Sequence, residues 1–218
     1  MTGSPLPEPV EEHLANRFAH QAEAGAGRIR ASSLLRRLAG YDRALYRSVA
    51  RLSTPLMDEP LRRVSDFANF SKPWFLVAGA LALLGGPRGR RAALAGLTAV
   101  GAASLVVNQP MKRAGERRRP DRDGLGVPEH RWVSMPSSGS FPSGHSASAA
   151  AFAVAVGDVL PALRPALRAA AVAVAFSRVY TGVHYPSDVL VGATIGALFG
   201  RFAPRLVLRF RWPRSTRR

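Results

Sequence analysis

Five apolar segments, separated by polar and arginine-rich connections, dominate the chain from residue 73 onward. They cover residues 73–86, 92–107, 146–160, 166–179 and 189–202. Each is somewhat shorter than the roughly 20 residues that cross a bilayer, so flanking residues such as Phe67–Lys72, Pro142–His145 and Thr181–Val183 are expected to complete the spans. The pattern predicts an all-α, polytopic membrane helical bundle. A soluble all-helical bundle is the alternative on length and periodicity alone.

A shorter amphipathic segment precedes these blocks, over residues 41–57. Its apolar positions are Tyr41, Leu45, Val49, Leu52 and Leu56, and its opposite face carries Arg43, Arg47 and Arg51. A helix with a basic polar face suits the membrane interface. The predicted bundle therefore has five to six core helices when this N-terminal interfacial helix is included.

The two ends of the chain are polar. Residues 1–40 contain no sustained apolar run and no signal-peptide core, and we interpret them as a mobile tail with a short helix near Val10–Ala24. Residues 204–218 form a basic tail. The predicted membrane domain therefore covers residues 41–203.

Charges in the connections predict the orientation of the bundle. With five spans, the turn Arg88–Arg91, the loop Arg164–Arg168 and the tail Arg205–Arg218 lie on one side, and all three are basic. Basic loops face the cytoplasm, so the sequence predicts a multi-pass plasma-membrane protein whose 109–141 and 182–187 connections lie outside. The 109–141 loop holds seven basic and four acidic residues, which opposes this orientation unless some of its cations bind an anion.

The composition narrows the choice of partners. The net charge of +17 suits nucleic acid, an anionic membrane surface or an anionic substrate, although a codon bias toward arginine explains part of it. No helix-turn-helix, zinc or aromatic-interleaved pattern is present, so we predict no nucleic-acid partner. The chain has no cysteine, which excludes disulfides and thiolate metal sites, and we expect no metal and no cofactor.

A first group of residues with relevant chemistry follows the second apolar segment, where Lys112 precedes Arg119. A transferring phosphoryl group carries negative charge on three equatorial oxygens. Arginine offers a planar fork to two of them, and lysine adds a compact charge. A basic membrane-flanking segment is the alternative, and we interpret Arg113, Arg117 and Arg118 in that way.

A second group, Pro142-Ser143-Gly144-His145, opens the third apolar segment. Backbone N–H groups and the dipole at the start of a helix attract anions. Ser143 can donate its hydroxyl, and Gly144 permits close approach of the backbone. His145 can act as an acid or a base near neutral pH. A capping serine followed by an unrelated histidine is the alternative.

A third group spans the turn between the fourth and fifth segments. Arg178 ends the fourth segment, His184 lies in the turn, and Asp188 opens the fifth. Asp188 is close enough in sequence to accept a hydrogen bond from one imidazole nitrogen, which would leave the other nitrogen free to attack. A helix start stabilised by an acidic residue is the alternative, but charged groups at a membrane edge are costly without partners.

Together the three groups resemble the three signature motifs of the type 2 phosphatidic acid phosphatase (PAP2) superfamily. The matching motifs are Lys112-x6-Arg119-Pro120, Pro142-Ser143-Gly144-His145 and Ser177-Arg178-x5-His184-x3-Asp188. The resemblance covers roughly residues 41–203 and matches every signature position. It implies a metal-independent phosphatase with an all-helical domain in the lipid bilayer.

The resemblance also implies roles for the matched residues. His184 is expected to attack phosphorus and form a phosphohistidine, Asp188 to orient it, and His145 to protonate the leaving oxygen. The phosphoryl oxygens are expected to be held by Lys112, Arg119, Ser143, Gly144 and Arg178. The implied substrate is a membrane lipid phosphate of the phosphatidic acid, phosphatidylglycerol phosphate or polyprenyl (di)phosphate type, hydrolysed on the extracytoplasmic side.

Alternatives to this function remain. Soluble vanadate-dependent haloperoxidases share the superfamily, but the apolar segments argue against that branch. A catalytically silent membrane scaffold or transporter subunit with a phosphate-binding pocket is a further alternative, against which the full set of motif residues argues. Many family members have six spans, so the topology of the N-terminal part is open.

Overall fold

The computed structural model describes residues 33, 36–52, 54–111 and 117–209 of the chain. These residues form seven α-helices and no strand, which confirms the all-α prediction. The helices are α1 (residues 36–50), α2 (Pro55–Phe67), α3 (Lys72–Leu84), α4 (Gly86–Val106), α5 (Gly144–Val159), α6 (Arg164–Tyr180) and α7 (Pro186–Arg209). Each of the five apolar segments corresponds to one helix, α3 to α7.

The chain divides into two compact units, Met1–Arg43 and Ala44–Arg218, and the site lies in the second. The predicted helix near Val10–Ala24 and most of the predicted tails lie outside the described residues. The predicted tail boundary at residue 40 falls inside a helix, because residues 36–40 are already helical. The predicted domain end at residue 203 also falls inside a helix, since α7 continues to Arg209.

The number of spans supported by length and composition is smaller than the predicted five. Within the described residues, two helices are long and apolar enough to cross a membrane, Gly86–Gln109 and Pro186–Val207. A third span results if Pro55–Phe67 and Asn69–Leu84, which meet at an angle of 69°, count as one broken span. Helices α5 and α6 have only 16 and 17 residues.

Most of the flanking residues lie at helix breaks, and only Lys72, Gly144 and His145 extend a helix, at the starts of α3 and α5; most of that expectation was therefore wrong. Between α2 and α3 the chain bends at Phe70 and Ser71, whose φ angles of 57° and 58° lie in the left-handed region. Helix α5 begins only at Gly144. Residues 181–183 form a turn after α6, with Gly182 at a φ of 74°. All three breaks lie beside the motif residues.

The predicted interfacial helix over residues 41–57 is two helices. Proline fits the first turn of a helix but cannot donate a backbone hydrogen bond within one, and Pro55 accordingly begins α2 after α1 has ended. The side chains that pack inward are Tyr46 and Ala50, whereas the predicted face residue Leu56 is 92% exposed. The extent of the predicted helix was therefore wrong, whereas the exposed Leu56 remains available to the membrane interface.

Helix α2 lies across one end of the bundle. Its first turn contacts the end of α6 through a hydrogen bond from the Tyr180 hydroxyl to Asp58, and its last turn contacts the same region through Ser65 and Arg178. Because both ends of α2 meet the end of α6, the helix cannot run along the bundle. The bend after α2 then directs α3 toward the opposite end.

Helix α5 is the centre of the bundle and packs against α4, α6 and α7. Its core is made largely of alanine, and fully buried Ala95 and Ala99 of α4 face Ala151 and Ala155 of α5. Small residues let helix backbones approach closely where lipid provides no hydrophobic driving force between helices. The outer surface of the bundle carries apolar side chains, such as Leu83 of α3, which is 82% exposed.

A glycine seam joins α7 to α5. It consists of Gly192, Gly196 and Gly200 of α7, facing the backbone carbonyls of Ser143, Ala147 and Ala151. A Cβ on these glycines would lie 2.3, 2.0 and 2.6 Å from the respective carbonyl oxygens, which is closer than atoms can approach without movement. The seam runs from the starts of both helices, so it holds the second and third motifs side by side.

Candidate active site

The turn that carries His184 is held by the end of α6. The backbone N–H groups of Val183 and His184 both donate to the carbonyl oxygen of Arg178, at 3.1 Å each. The His184 side chain is only 1% exposed. Helix α7 begins two residues later, at Pro186, and places Asp188 in its first turn. The third motif is therefore one tightly bonded turn.

The two nitrogens of the His184 imidazole have different neighbours. Nδ1 lies 3.6 Å from Oδ2 of Asp188, an ion-pair distance that slightly exceeds a hydrogen bond. Nε2 lies 3.3 Å from Nη1 of Arg119. Within the described residues Nδ1 has no hydrogen-bond partner. The ring thus has a carboxylate at one edge and a guanidinium at the other.

Asp188 is completely buried and is held by several donors. Arg117 contacts Oδ1 through Nη1 at 2.8 Å, and the Tyr185 backbone N–H donates to Oδ2 at 2.9 Å. Arg117 also donates to the Ser187 hydroxyl at 2.7 Å and lies over the Tyr185 ring at 4.1 Å. A buried carboxylate requires such partners. The interpretation of Arg117 as a mere membrane-flanking residue was therefore wrong.

Arg119 is fixed in place by loop carbonyls. Its Nε donates to Ser138 at 2.9 Å, Nη2 to Gly139 at 3.2 Å and Nη1 to Val183 at 2.8 Å. Since these bonds exist before any substrate arrives, the cation beside His184 requires no rearrangement to meet an anion.

Arg178 is buried, with 1% exposure. Its Nη1 donates to both the carbonyl and the hydroxyl of Ser65, at 3.0 and 2.6 Å. Its Nε has no acceptor among the described residues. A buried guanidinium N–H without a partner is costly, and a phosphate oxygen is an acceptor of suitable charge.

Ser143 caps α5 and connects it to α7. Its hydroxyl oxygen accepts from the backbone N–H and the hydroxyl of Ser146, at 3.4 and 3.0 Å, and its own N–H donates to the Asp188 carbonyl at 2.9 Å. A hydroxyl has two acceptor positions and one donor, so the Ser143 proton remains to be donated. The capping alternative and the anion-binding prediction are therefore compatible.

His145 is bonded to a residue outside every motif. Its Nε2 lies 3.0 Å from Oδ1 of Asn69, which is 76 positions away in sequence. An amide oxygen only accepts hydrogen bonds, so Nε2 carries the proton in this arrangement. Asn69 lies at the α2–α3 bend, whose left-handed Phe70 and Ser71 are the kind of backbone strain that accumulates at functional sites.

The remaining members of the predicted site can be placed only in part. A Cβ on Gly144 would lie 2.9 Å from the side-chain oxygen Oδ1 of Asn108, in the π-helical turn that follows α4, so a larger residue here would displace the Asn108 side chain. Lys112 lies outside the described residues. Within the parts of the chain described here, no three histidine, cysteine or acidic side chains are grouped so that they could hold a metal ion.

The surroundings of His184 keep its imidazole neutral. Burial lowers the pKa of His184 from 6.5 to about 4 because it disfavours the charged ring. Asp188 opposes this shift in pKa, whereas Arg119 and Arg178 reinforce it. At neutral pH the ring therefore keeps a free lone pair on one nitrogen.

An open cleft adjoins the buried pocket on the side of Arg119. It encloses about 540 Å³ and is lined by Arg117, Arg118, Arg119, Met135, Pro136, Ser137, Ser138 and Gly139. Its walls combine arginine and serine side chains with the apolar side chains of Met135 and Pro136. A polar group attached to a phosphate beside Arg119 would have room here.

The sequence has relatives of known name. It matches the PAP2 superfamily over residues 92–212. It is 38% identical to decaprenylphosphoryl-5-phosphoribose phosphatase of Mycobacterium tuberculosis, over 69% of this chain and 81% of that protein. It is 41% identical to lipid A 1-phosphatase of Rhizobium johnstonii, over 41% of this chain and 37% of that protein.

The fold has a solved counterpart. It is similar to the crystal structure of a transmembrane PAP2-type phosphatidylglycerolphosphate phosphatase from Bacillus subtilis, with a TM-score of 0.62 at 24% identity, over 81% of this chain and 89% of that one. The chain therefore belongs to the PAP2 superfamily, and it is a multi-pass membrane phosphatase of that family. The predicted family is confirmed.

Proposed function

We propose that the protein removes a phosphate from a membrane lipid by way of a phosphohistidine on His184. The observation that carries the proposal is the pair of neighbours around the His184 ring, with Asp188 at Nδ1 and Arg119 at Nε2. Nε2 is then the nucleophile, because the cation that attracts phosphoryl oxygens lies on its side. The relatives, whose names refer to lipid phosphates, support a membrane lipid phosphate as the substrate class.

In the first step the Nε2 lone pair forms a bond to phosphorus while the bond from phosphorus to the lipid oxygen breaks. The electron pair leaves with that oxygen, which takes a proton from His145. Asp188 stabilises the positive charge that develops on the His184 ring. Arg119, Arg178 and Ser143 stabilise the charge on the phosphoryl oxygens.

In the second step His145, now neutral, takes a proton from water, whose oxygen attacks phosphorus. The phosphorus–nitrogen bond breaks, its electron pair returns to Nε2, and inorganic phosphate leaves. The same residue acts first as acid and then as base. Two in-line displacements on opposite faces of phosphorus need fixed positions of both histidines, and the Ser143–Asp188 backbone bond supports this geometry.

Asn69 is the positioning residue for His145 in this proposal. By accepting the Nε2 proton at 3.0 Å, its amide oxygen holds the orientation of the ring that donates a proton in the first step. Since a carboxamide carries no charge, it does not compete with the substrate phosphate for the arginines.

For the substrate we propose a prenyl-phosphoryl sugar phosphate as the first class to test. Support comes from the relative that is named for a decaprenylphosphoryl phosphoribose and from the open cleft beside Arg119, whose volume of about 540 Å³ leaves room for a sugar. A panel of lipid phosphates in detergent, with phosphate release as the measurement, tests this. Faster turnover of phosphatidic acid than of any sugar-bearing lipid would contradict it.

The mechanism is tested by trapping the intermediate. A lipid labelled in its terminal phosphate should transfer the label to the wild-type protein in a form that is labile to acid and stable to base, as expected of a phosphoramidate. His184→Ala should abolish both labelling and turnover, by at least about 10³-fold. His145→Ala should still accumulate label with a good leaving group, because it lacks only the acid and base. Label on another residue would refute the assignment.

We also propose that the active site faces the extracytoplasmic side of the plasma membrane. The chain has no cysteine, so single cysteines can be introduced without background. With intact cells, Ser137→Cys in the cleft should react with a membrane-impermeant maleimide, and Arg90→Cys at the other end should react only after lysis. The reverse pattern would invert the orientation.

A further inference from the structure

A cavity of about 450 Å³ opens between α5, α6 and α7, far from His184. Asp158 near the end of α5 lies on it, 14 residues after the start of that helix. Arg164 at the start of α6 and Arg201 late in α7 also line it. With a rise of 1.5 Å per residue, these positions are roughly 20 Å from the catalytic ends of their helices. The cavity therefore lies toward the opposite membrane face.

The walls of this cavity are of two kinds. Its apolar part consists of Ala153, Val154, Ala197 and Leu198, beside Thr194. Its charged part consists of Asp158, Arg164, Arg168 and Arg201. Three cations against one carboxylate leave an excess of two positive charges next to an apolar surface.

The three arginines are not equally satisfied. Asp158 contacts Arg201 at 3.3 Å and Arg164 at 3.8 Å, and Arg164 also donates to the carbonyl of Gly157 at 3.1 Å. Arg168 forms no hydrogen bond or ion pair with the part of the chain that the structure describes. Arg168 is exposed near the start of α6, so the cluster presents to its surroundings a guanidinium that no anion of the described chain neutralises.

We infer that this cavity binds the headgroup of an anionic phospholipid in the leaflet opposite the active site. The phosphate would lie between Arg168 and Arg201, where guanidinium groups offer paired donors. The acyl chains would follow the apolar wall toward Leu198, which is 56% exposed. Basic pockets between transmembrane helices are known to recognise anionic headgroups in this way. A lipid suits both walls, whereas a soluble anion suits only the charged one.

The test measures lipid retention by the full-length protein. Delipidated protein in detergent is titrated with phosphatidylglycerol or with phosphatidylcholine, and bound lipid is counted by native mass spectrometry. Phosphatidylglycerol is a phosphodiester without a terminal phosphate to be removed. We expect it to be retained in preference to phosphatidylcholine, and Arg168→Gln to weaken that retention about fivefold, as expected for one interfacial cation.

Arg205→Gln is the matched control, because it removes the same charge from an exposed position on α7 outside the cavity. It should leave retention unchanged, and phosphatase activity should be normal in both variants. Equal weakening by both substitutions would mean diffuse attraction and would overturn the inference. Equal retention of the two lipids would also overturn the inference. Displacement of the lipid by vanadate in the active site, or by inorganic phosphate at the same concentration as the lipid, would overturn it as well.

Discussion

The buried pocket around His184 and the open cleft beside it both contain arginine and other polar residues. The side chains of the pocket are held by fixed partners, whereas those of the cleft are exposed. In the pocket, Arg119 and Asp188 each have several fixed partners, and Asp188 is fully buried. In the cleft, neighbouring Arg118 and Ser137 are exposed. The difference indicates that the pocket is organised in advance for one chemical step, while the cleft can adapt to the group attached to the phosphate.

Arg117 and Arg118 give the strongest test of this comparison, since they are adjacent and equally charged. Arg117→Ala removes the guanidinium that is paired with buried Asp188, so kcat should fall by about 10²- to 10³-fold and the protein should melt at a lower temperature. Arg118→Ala should leave kcat unchanged. Steady-state kinetics and thermal melting in detergent measure both, and equal losses in the two variants would erase the distinction between pocket and cleft.

Asn69 tests whether the pocket includes the α2–α3 bend. Asn69→Ala removes the acceptor for His145, and kcat for a lipid substrate should fall by about tenfold, part of what a general acid contributes. For p-nitrophenyl phosphate, whose leaving group needs little protonation, the rate should hardly change. Ser71→Gly is the control, because glycine adopts the same left-handed backbone freely. A similar loss with both substrates would assign Asn69 a structural role only.

The pH dependence of kcat/KM tests whether the pocket excludes water from the His184 ring. Because burial lowers the pKa of His184 from 6.5 to about 4, the nucleophile stays unprotonated well into the acid range. A lowered pKa means that the reactive form is lost only as pH falls through the folded value, so kcat/KM should decline near 4 and not near 6.5. An acid limb at the ordinary histidine value would show that water reaches the ring.

The smallest expected effect belongs to the cleft. Arg118→Ala should raise KM severalfold for a lipid with a phosphorylated sugar headgroup and leave kcat unchanged, because it removes binding that the transition state and ground state share. With phosphatidic acid, which lacks such a headgroup, KM should not change. A change in KM of equal size for both lipids would place Arg118 among the phosphate ligands.

Much of the fold could be predicted from the sequence because apolar composition persists over whole helices. The five apolar segments correspond to α3 to α7, and Pro55 in the chain was a readable sign that the 41–57 helix would break. The α2–α3 bend had no such sign. Phe70 and Ser71 rarely adopt left-handed backbone, so tertiary contacts and not local preference impose it.

The site could be predicted where its residues belong to motifs and not elsewhere. Adjacent Arg117 and Arg118, which precede the motif residue Arg119, are indistinguishable in sequence, and only the folded loop shows that Arg117 meets Asp188 while Arg118 faces solvent. Asn69 was not predicted, since nothing local to it suggests chemistry and its partner is 76 positions away. The roles of Lys112 and of the matched phosphate ligands stay predictions.

The glycine seam between α5 and α7 makes the distance between the two histidines depend on backbone contact deep in the bundle. His145 begins one of these helices and His184 precedes the other, so any added side chain at Gly196 or Gly200 must push the helices apart along their length. A substitution far from phosphorus would then alter the rate of transfer through spacing alone. In this enzyme, the spacing of His145 and His184 therefore depends on how closely α5 and α7 pack, so that a change in the packing of these helices also changes the spacing.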